Sequence, residues 1–181
     1  MPVEPTLLPL TSRAECTIDG VYYATLYETE GKMSVTQNAD SVEVTTTGHL
    51  CTITGAISEV EYRLTHRFYS DRITNEWTFK SPRVEVIRIV DPFVRDPDLK
   101  VEQTDSRHAI LDHGGKERWV FTVEKSPANC SLSCGEGTEH YWSPFPSVNG
   151  YPVHITLTTT PNQPMLVRTS FAPSVAPSNR P

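Results

Sequence analysis

Residues 59–80 read EVEYRLTHRFYSDRITNEWTFK. Val60, Tyr62, Leu64, His66 and Phe68 fall on one side of an extended chain, and Glu61, Arg63, Thr65 and Arg67 on the other. After Ser70-Asp71, a second run places Ile73, Trp77 and Phe79 on one side and Thr74, Glu76, Thr78 and Lys80 on the other. Successive side chains alternate across a strand, so this period of two predicts a hairpin with one dry face and one wet face.

Working outward, short strand-like runs recur at 20–27, 32–36, 42–47, 50–54, 84–90, 108–112, 119–123, 153–159 and 165–171. Glu30-Gly31, Gly48, Gly55, Ser81-Pro82, Asp91-Pro92, Gly114-Gly115 and Thr160-Pro161 separate them. Glycine supplies positive φ and proline lacks a ladder donor, so both punctuate strands. No run of helical period exceeds about two turns. Many short strands at regular spacing predict a single all-β domain, an antiparallel two-sheet β-sandwich over residues 15–171. Residues 1–14 read as an extended arm, and the Pro/Ser-rich residues 172–181 as a disordered tail. Tyr62, Leu64, Phe68, Trp77, Phe79, Trp119 and Phe121 are the expected core. The long stretches 91–105 and 135–151 read as loops, and loops of this length tend to carry function.

The chain has 181 residues, a net charge of -6 and a pI near 5.5. That sign disfavours nucleic acid as a partner. No apolar run approaches the ~20 residues that span a bilayer, so no membrane segment is expected. The first residues, MPVEPTLLPLTSRAE, lack the basic start and apolar stretch of a signal peptide. The chain therefore reads as cytoplasmic, or as secreted or periplasmic if a signal was removed. Cys16, Cys51, Cys130 and Cys134 permit two disulfides in three connectivities, but buried free thiols are the plainer reading. Asn129-Cys130-Ser131 fits the glycosylation sequon.

Four stretches together suggest a family: VEVTTTGHL at 42–50, VEYRLTHRFYSDRITNEWTF at 60–79, ERWVFTVE at 117–124 and EHYWSPFP at 139–146. With them the chain resembles, over about residues 19–171, the β-sandwich domain of the heparinase II/III-like polysaccharide lyases. The resemblance implies a large antiparallel supersandwich that follows an (α/α) toroid. It also implies that most of the catalytic machinery, including a tyrosine acid/base, lies on that toroid. Polysaccharide or oligosaccharide is then the expected ligand and a helical catalytic domain the expected partner. No cofactor is expected.

Candidate chemistry clusters in two places. Glu139, His140, Tyr141, Trp142, Phe145 and Tyr151 combine aromatic surface with polar groups, a mixture suited to the apolar faces and hydroxyls of sugars. His140, Tyr141 and Arg118 can be cast as acid, base and enolate-stabilising cation of a β-elimination. The plainer reading has Trp142 and Phe145 capping one end of the fold. Arg63 and Arg67, two residues apart, point the same way and can hold a carboxylate or sulfate; the plainer alternative is a wet face laced by Arg–Glu pairs. His66 reads as a hydrogen-bonded core histidine. His108 and His113 match no closed zinc spacing, and the carboxylates of 91–105 lack the EF-hand pattern, so no metal is expected. Three classes compete: a glycan-contacting accessory domain, which leads; a free-standing lyase or isomerase; and a structural assembly module.

Overall fold

The computed structural model describes residues 12–94, 99–134, 139–141 and 148–174. Among the described residues there are fourteen strands: β1 (Arg13–Ile18), β2 (Val21–Ala24), β3 (Lys32–Gln37), β4 (Ser41–Cys51), β5 (Ile57–Tyr69), β6 (Ile73–Lys80), β7 (Val86–Val94), β8 (Leu99–Gln103), β9 (His108–His113), β10 (Glu117–Lys125), β11 (Cys130–Cys134), β12 (Glu139–Tyr141), β13 (Val148–Thr158) and β14 (Met165–Pro173). Among the described residues the one helical piece is a 3-10 turn, Thr25–Tyr27.

The all-β class and antiparallel pairing are as expected. Two separate sheets are not found. One hydrogen-bonded sheet runs in the order β11-β13-β7-β1-β2-β4-β5-β6-β14-β10-β9-β8, with β12 on β13 and β3 on β4 off that path. It curls until its ends meet: the Gln103 side-chain amide on β8 donates to the Leu132 carbonyl of β11 at 3.2 Å and accepts from the Cys134 amide at 3.4 Å. The ladder has one thin point, where β2 and β4 pair only through Ala24 and Cys51. The lobe β11-β13-β7-β1-β2 and the lobe β4-β5-β6-β14-β10-β9-β8 share one core, to which both contribute.

The β5–β6 hairpin has the predicted register, with Tyr62 opposite Phe79, Leu64 opposite Trp77 and Phe68 opposite Ile73. Trp77 lies against Tyr62 and stacks on Phe79 at 5.5 Å between centroids. Across from them Ile87, Ile89, Ile155 and Leu157 are almost fully buried. Each such side chain contributes about 1.5–3 kcal/mol of hydrophobic transfer. Phe68 departs from expectation: its face is right, but it is exposed, as are its cross-strand neighbours Val42 and Ile73. Trp119 is only half-buried, stacked on Phe171 at 4.8 Å.

Strand β1 was not anticipated, although its signal was present. Asp19-Gly20 between Ile18 and Val21 is a two-residue turn with φ of 50° and 79°, the positive values that favour Asp-Gly hairpins. Strands β8 and β11 lie where a loop and a Cys-Ser-Leu-Ser-Cys segment were read. Both are short, half-exposed strands at the ends of the sheet path, so they carry little apolar alternation. The predicted break at Gly48 is absent, and β4 runs through it. The expected strand at 50–54 ends at Cys51 and becomes a turn closed by the Thr52 and Ala56 backbones. Strand pairing begins at Arg13 and ends at Pro173, just inside the two expected terminal segments; residues 1–11 and 175–181 lie outside the described residues. All four cysteines are free thiols, and burial pushes the Cys16 thiol up to about 12.

Candidate functional site

Alternation sends Leu64 and Trp77 into the core and Arg63 and Thr78 to the opposite, outer face. On that face the registers assemble a row across four strands: Lys32 opposite Thr47, Thr47 opposite Arg63, Arg63 opposite Thr78. The next row sets His49 opposite Glu61 and Glu61 opposite Lys80. Neighbouring strands lie ~4.8 Å apart, so Lys32 and Arg63, two strands apart, are separated by roughly 10 Å at the backbone. These residues line an open cleft of about 630 Å³, which Tyr62 also lines.

Charges in the cleft differ in how they are engaged. Glu28 is held by backbone: its carboxylate accepts from the Glu30 amide at 2.7 Å and the His49 amide at 2.8 Å. Burial opposes its ionisation, but these amides outweigh that and hold its pKa below the usual range. Glu30 and Glu61 also line the cleft. Among the described residues Lys32, Arg63 and Lys80 have neither an ion pair nor a side-chain hydrogen bond. The His49 ring meets the Ser58 carbonyl at 3.2 Å. Tyr62 is pushed up by burial first, and then by the charges of Glu28 and Cys51. A phenol so shifted stays protonated at neutral pH and cannot serve as a base there. The cleft thus sets three cations, Lys32, Arg63 and Lys80, beside three carboxylates, Glu28, Glu30 and Glu61, and the hydroxyls of Thr47 and Thr78.

Arg67 stands apart from its expected twin. Its guanidinium pairs with Glu43 at 2.8 Å and approaches Glu76 at 3.9 Å. Glu76 also binds Arg168 across the sheet. Thr45 and Thr65, hydrogen-bonded at 3.1 Å, lie buried in the adjoining row. Arg67 is thus committed to a cross-strand network, whereas Arg63 opens onto the cleft.

The other expected residues are placed as follows. Glu139, His140 and Tyr141 form β12, opposite Gly150, Asn149 and Val148 of β13. Tyr151, also on β13, is opposite Phe93. Trp142 and Phe145 lie outside the described residues. Arg118 is exposed on β10, opposite Asp112, and β9 and β8 stand between β10 and that end of the sheet path. His66 is half-buried, its Nδ1 2.7 Å from Asn75 Oδ1 on the neighbouring strand. His108 pairs with Asp105 at 2.8 Å, and among the described residues no three metal-ligating side chains converge. Sequence reasoning missed Lys32, His49 and Lys80. The signal was available only after registration: aligning three successive hairpins puts them beside Arg63.

The family model for the ulvan lyase C-terminal domain matches residues 1–170. No curated protein matches the chain. Among solved structures, the fold is similar to heparan sulfate lyase HepC from Pedobacter heparinus, with a TM-score of 0.62 and 8% identity over 80% of this chain and 22% of that one. It is similar to two heparinase III structures, with TM-scores of 0.65 and 0.64 and identities of 7% and 10%, each over 83% of this chain and 22% of the other. At such identities the likeness establishes the fold, and the chain spans less than a quarter of the length of those lyases. Family match and fold agree on the C-terminal β-domain of a polysaccharide lyase: the chain belongs to the ulvan lyase C-terminal domain family.

Proposed function

We propose that this chain is an accessory domain that holds an acidic polysaccharide for a lyase whose bond-breaking machinery lies on a larger domain. The unpaired cations Lys32, Arg63 and Lys80, gathered from two adjacent rows into one outward cleft, support this reading most directly. A β-elimination needs a base at the carbon alpha to a uronate carboxylate and a cation to stabilise the enolate. The cleft supplies cations in Lys32, Arg63 and Lys80. Arg63 can grip a carboxylate or sulfate with two parallel donors, and the lysines act as point charges on either side. Each exposed contact is worth only ~0.2–1 kcal/mol. Useful retention therefore comes from repetition of the anionic unit along a polymer, and it weakens with salt. Trp142, Phe145 and Tyr151, with Glu139, would add aromatic surface for the sugar rings.

The test is affinity electrophoresis of the chain through gels containing ulvan, heparan sulfate or a neutral glucan, with products followed by mass spectrometry. Retention by an anionic polymer should fall several-fold in the Arg63→Ala/Lys80→Ala variant, with an unchanged thermal melt. Equal mobility of variant and parent would overturn the assignment of the cleft. Unsaturated products from the chain alone would instead make it an enzyme and direct attention to His140, Tyr141 and Arg118.

A further inference from the structure

The inner face of the sheet runs past its own cover. Along one cross-strand row, Ala109, Phe121, Phe171, Ile73, Phe68 and Val42 stand opposite one another in turn. Exposure along that row climbs from 0% at Ala109 and 2% at Phe121 to 36% at Ile73, 43% at Phe68 and 39% at Val42. Two parallel rows end the same way, at Val35 beyond Val44 and His66, and at Met33 beyond Thr46 and Leu64. Val35 is 62% exposed and Met33 70%. These five side chains share one face of β3–β6, the face opposite Arg63 and Thr78. Among the described residues β3 pairs only with β4, so its outer edge carries unpaired backbone donors and acceptors as well.

We propose that this apolar face and the open β3 edge are the surface on which the larger, preceding portion of the lyase chain docks. This inference rests on the accessory-domain reading above. Contiguous exposed apolar surface marks an interaction site, and an open strand edge is ordinarily covered or blunted. Two observations choose the occupant. The match spans 22% of the similar lyases, and the matching family is a C-terminal domain, so most of such a chain lies outside this fold and leads into it.

Cysteine footprinting tests this. Met33→Cys and Val35→Cys, with the exposed Lys116→Cys as control, are placed in this chain alone and in the intact lyase chain that carries the domain. Labelling is read by peptide mass spectrometry, which separates these sites from the four native cysteines. The expected result is free labelling of the isolated chain, and a fall of at least about tenfold at 33 and 35, but not at 116, in the intact lyase. Equal labelling in both contexts would overturn the proposal. So would protection in the isolated chain that grows with its concentration, which would identify a second copy as the occupant. The glycan reading is tested on the opposite face, so retention in the polysaccharide gel can succeed or fail independently.

Discussion

Asp91 shows how much one side chain can depend on its surroundings. It lies on the inner side of β7, buried, with one carboxylate oxygen that has no hydrogen-bond partner. Burial raises its pKa, against the lowering influence of Ser12 and of the charges on His66 and Arg13. An acid whose folded pKa is raised binds its proton more tightly when folded. The contribution of Asp91 to stability is therefore greatest at low pH and falls as pH rises from the unfolded value of 3.8 through the raised folded value. Asp91→Asn should accordingly raise the melting temperature at neutral pH, and the gain should shrink towards zero below about pH 4. Melts of parent and variant across that range check this; a gain that stays constant with pH would contradict it. Nothing in Asp91-Pro92 announces such burial, because a carboxylate before a proline reads as a turn. Phe68 gives the complementary case: alternation identified its face correctly, yet whether a face is covered depends on strands far away in the chain.

At the level of elements, Gly48 explains why β4 is continuous where a break was expected. A Cβ there would lie 2.7 Å from Glu28 Oε2 and 3.0 Å from its Cγ. The Glu28 side chain therefore occupies the space a larger residue would need, and there it accepts the His49 amide. Gly48→Ala should dislodge Glu28, and Glu28→Ala should lose the same bonds. Each should cost about 1–3 kcal/mol. Because both remove one interaction, the double variant should cost clearly less than the sum, a coupling that denaturant melts of the four proteins would reveal. Additive losses would show that the two residues act separately. The β5–β6 hairpin was legible from its apolar alternation, and β1 was legible in principle from Asp19-Gly20. Strands β8 and β11 were not, since half-exposed strands like Leu-Lys-Val-Glu-Gln become strands only when a partner is in place. The cleft was half legible: Arg63 could be named from its face, while Lys32 and Lys80 needed the register of their neighbours.

At the scale of the whole molecule, among the described residues closure rests on a side chain rather than on a ladder. The Gln103 amide joins β8 to β11 by two bonds. Gln103→Ala should speed hydrogen exchange at the Cys134 amide while leaving Ile89 and Val167 as protected as before. Unchanged exchange at Cys134 would show that the ends are held by other means. The thin joint between Ala24 and Cys51 carries a different consequence, for the order in which the chain can be built. Neither lobe is a continuous stretch: one draws on residues 13–24, 86–94, 130–134 and 148–158, the other on 41–80, 99–125 and 165–173. A ribosome releasing this chain from its N-terminus leaves β1 without its β7 neighbour until some seventy residues later. The gap between β6 and β10 stays open until β14, the last strand, emerges. Pairings of such sequence separation form slowly. The nascent domain therefore spends nearly its whole synthesis with strand edges bare, and its exposure to misassembly is greatest before it leaves the ribosome.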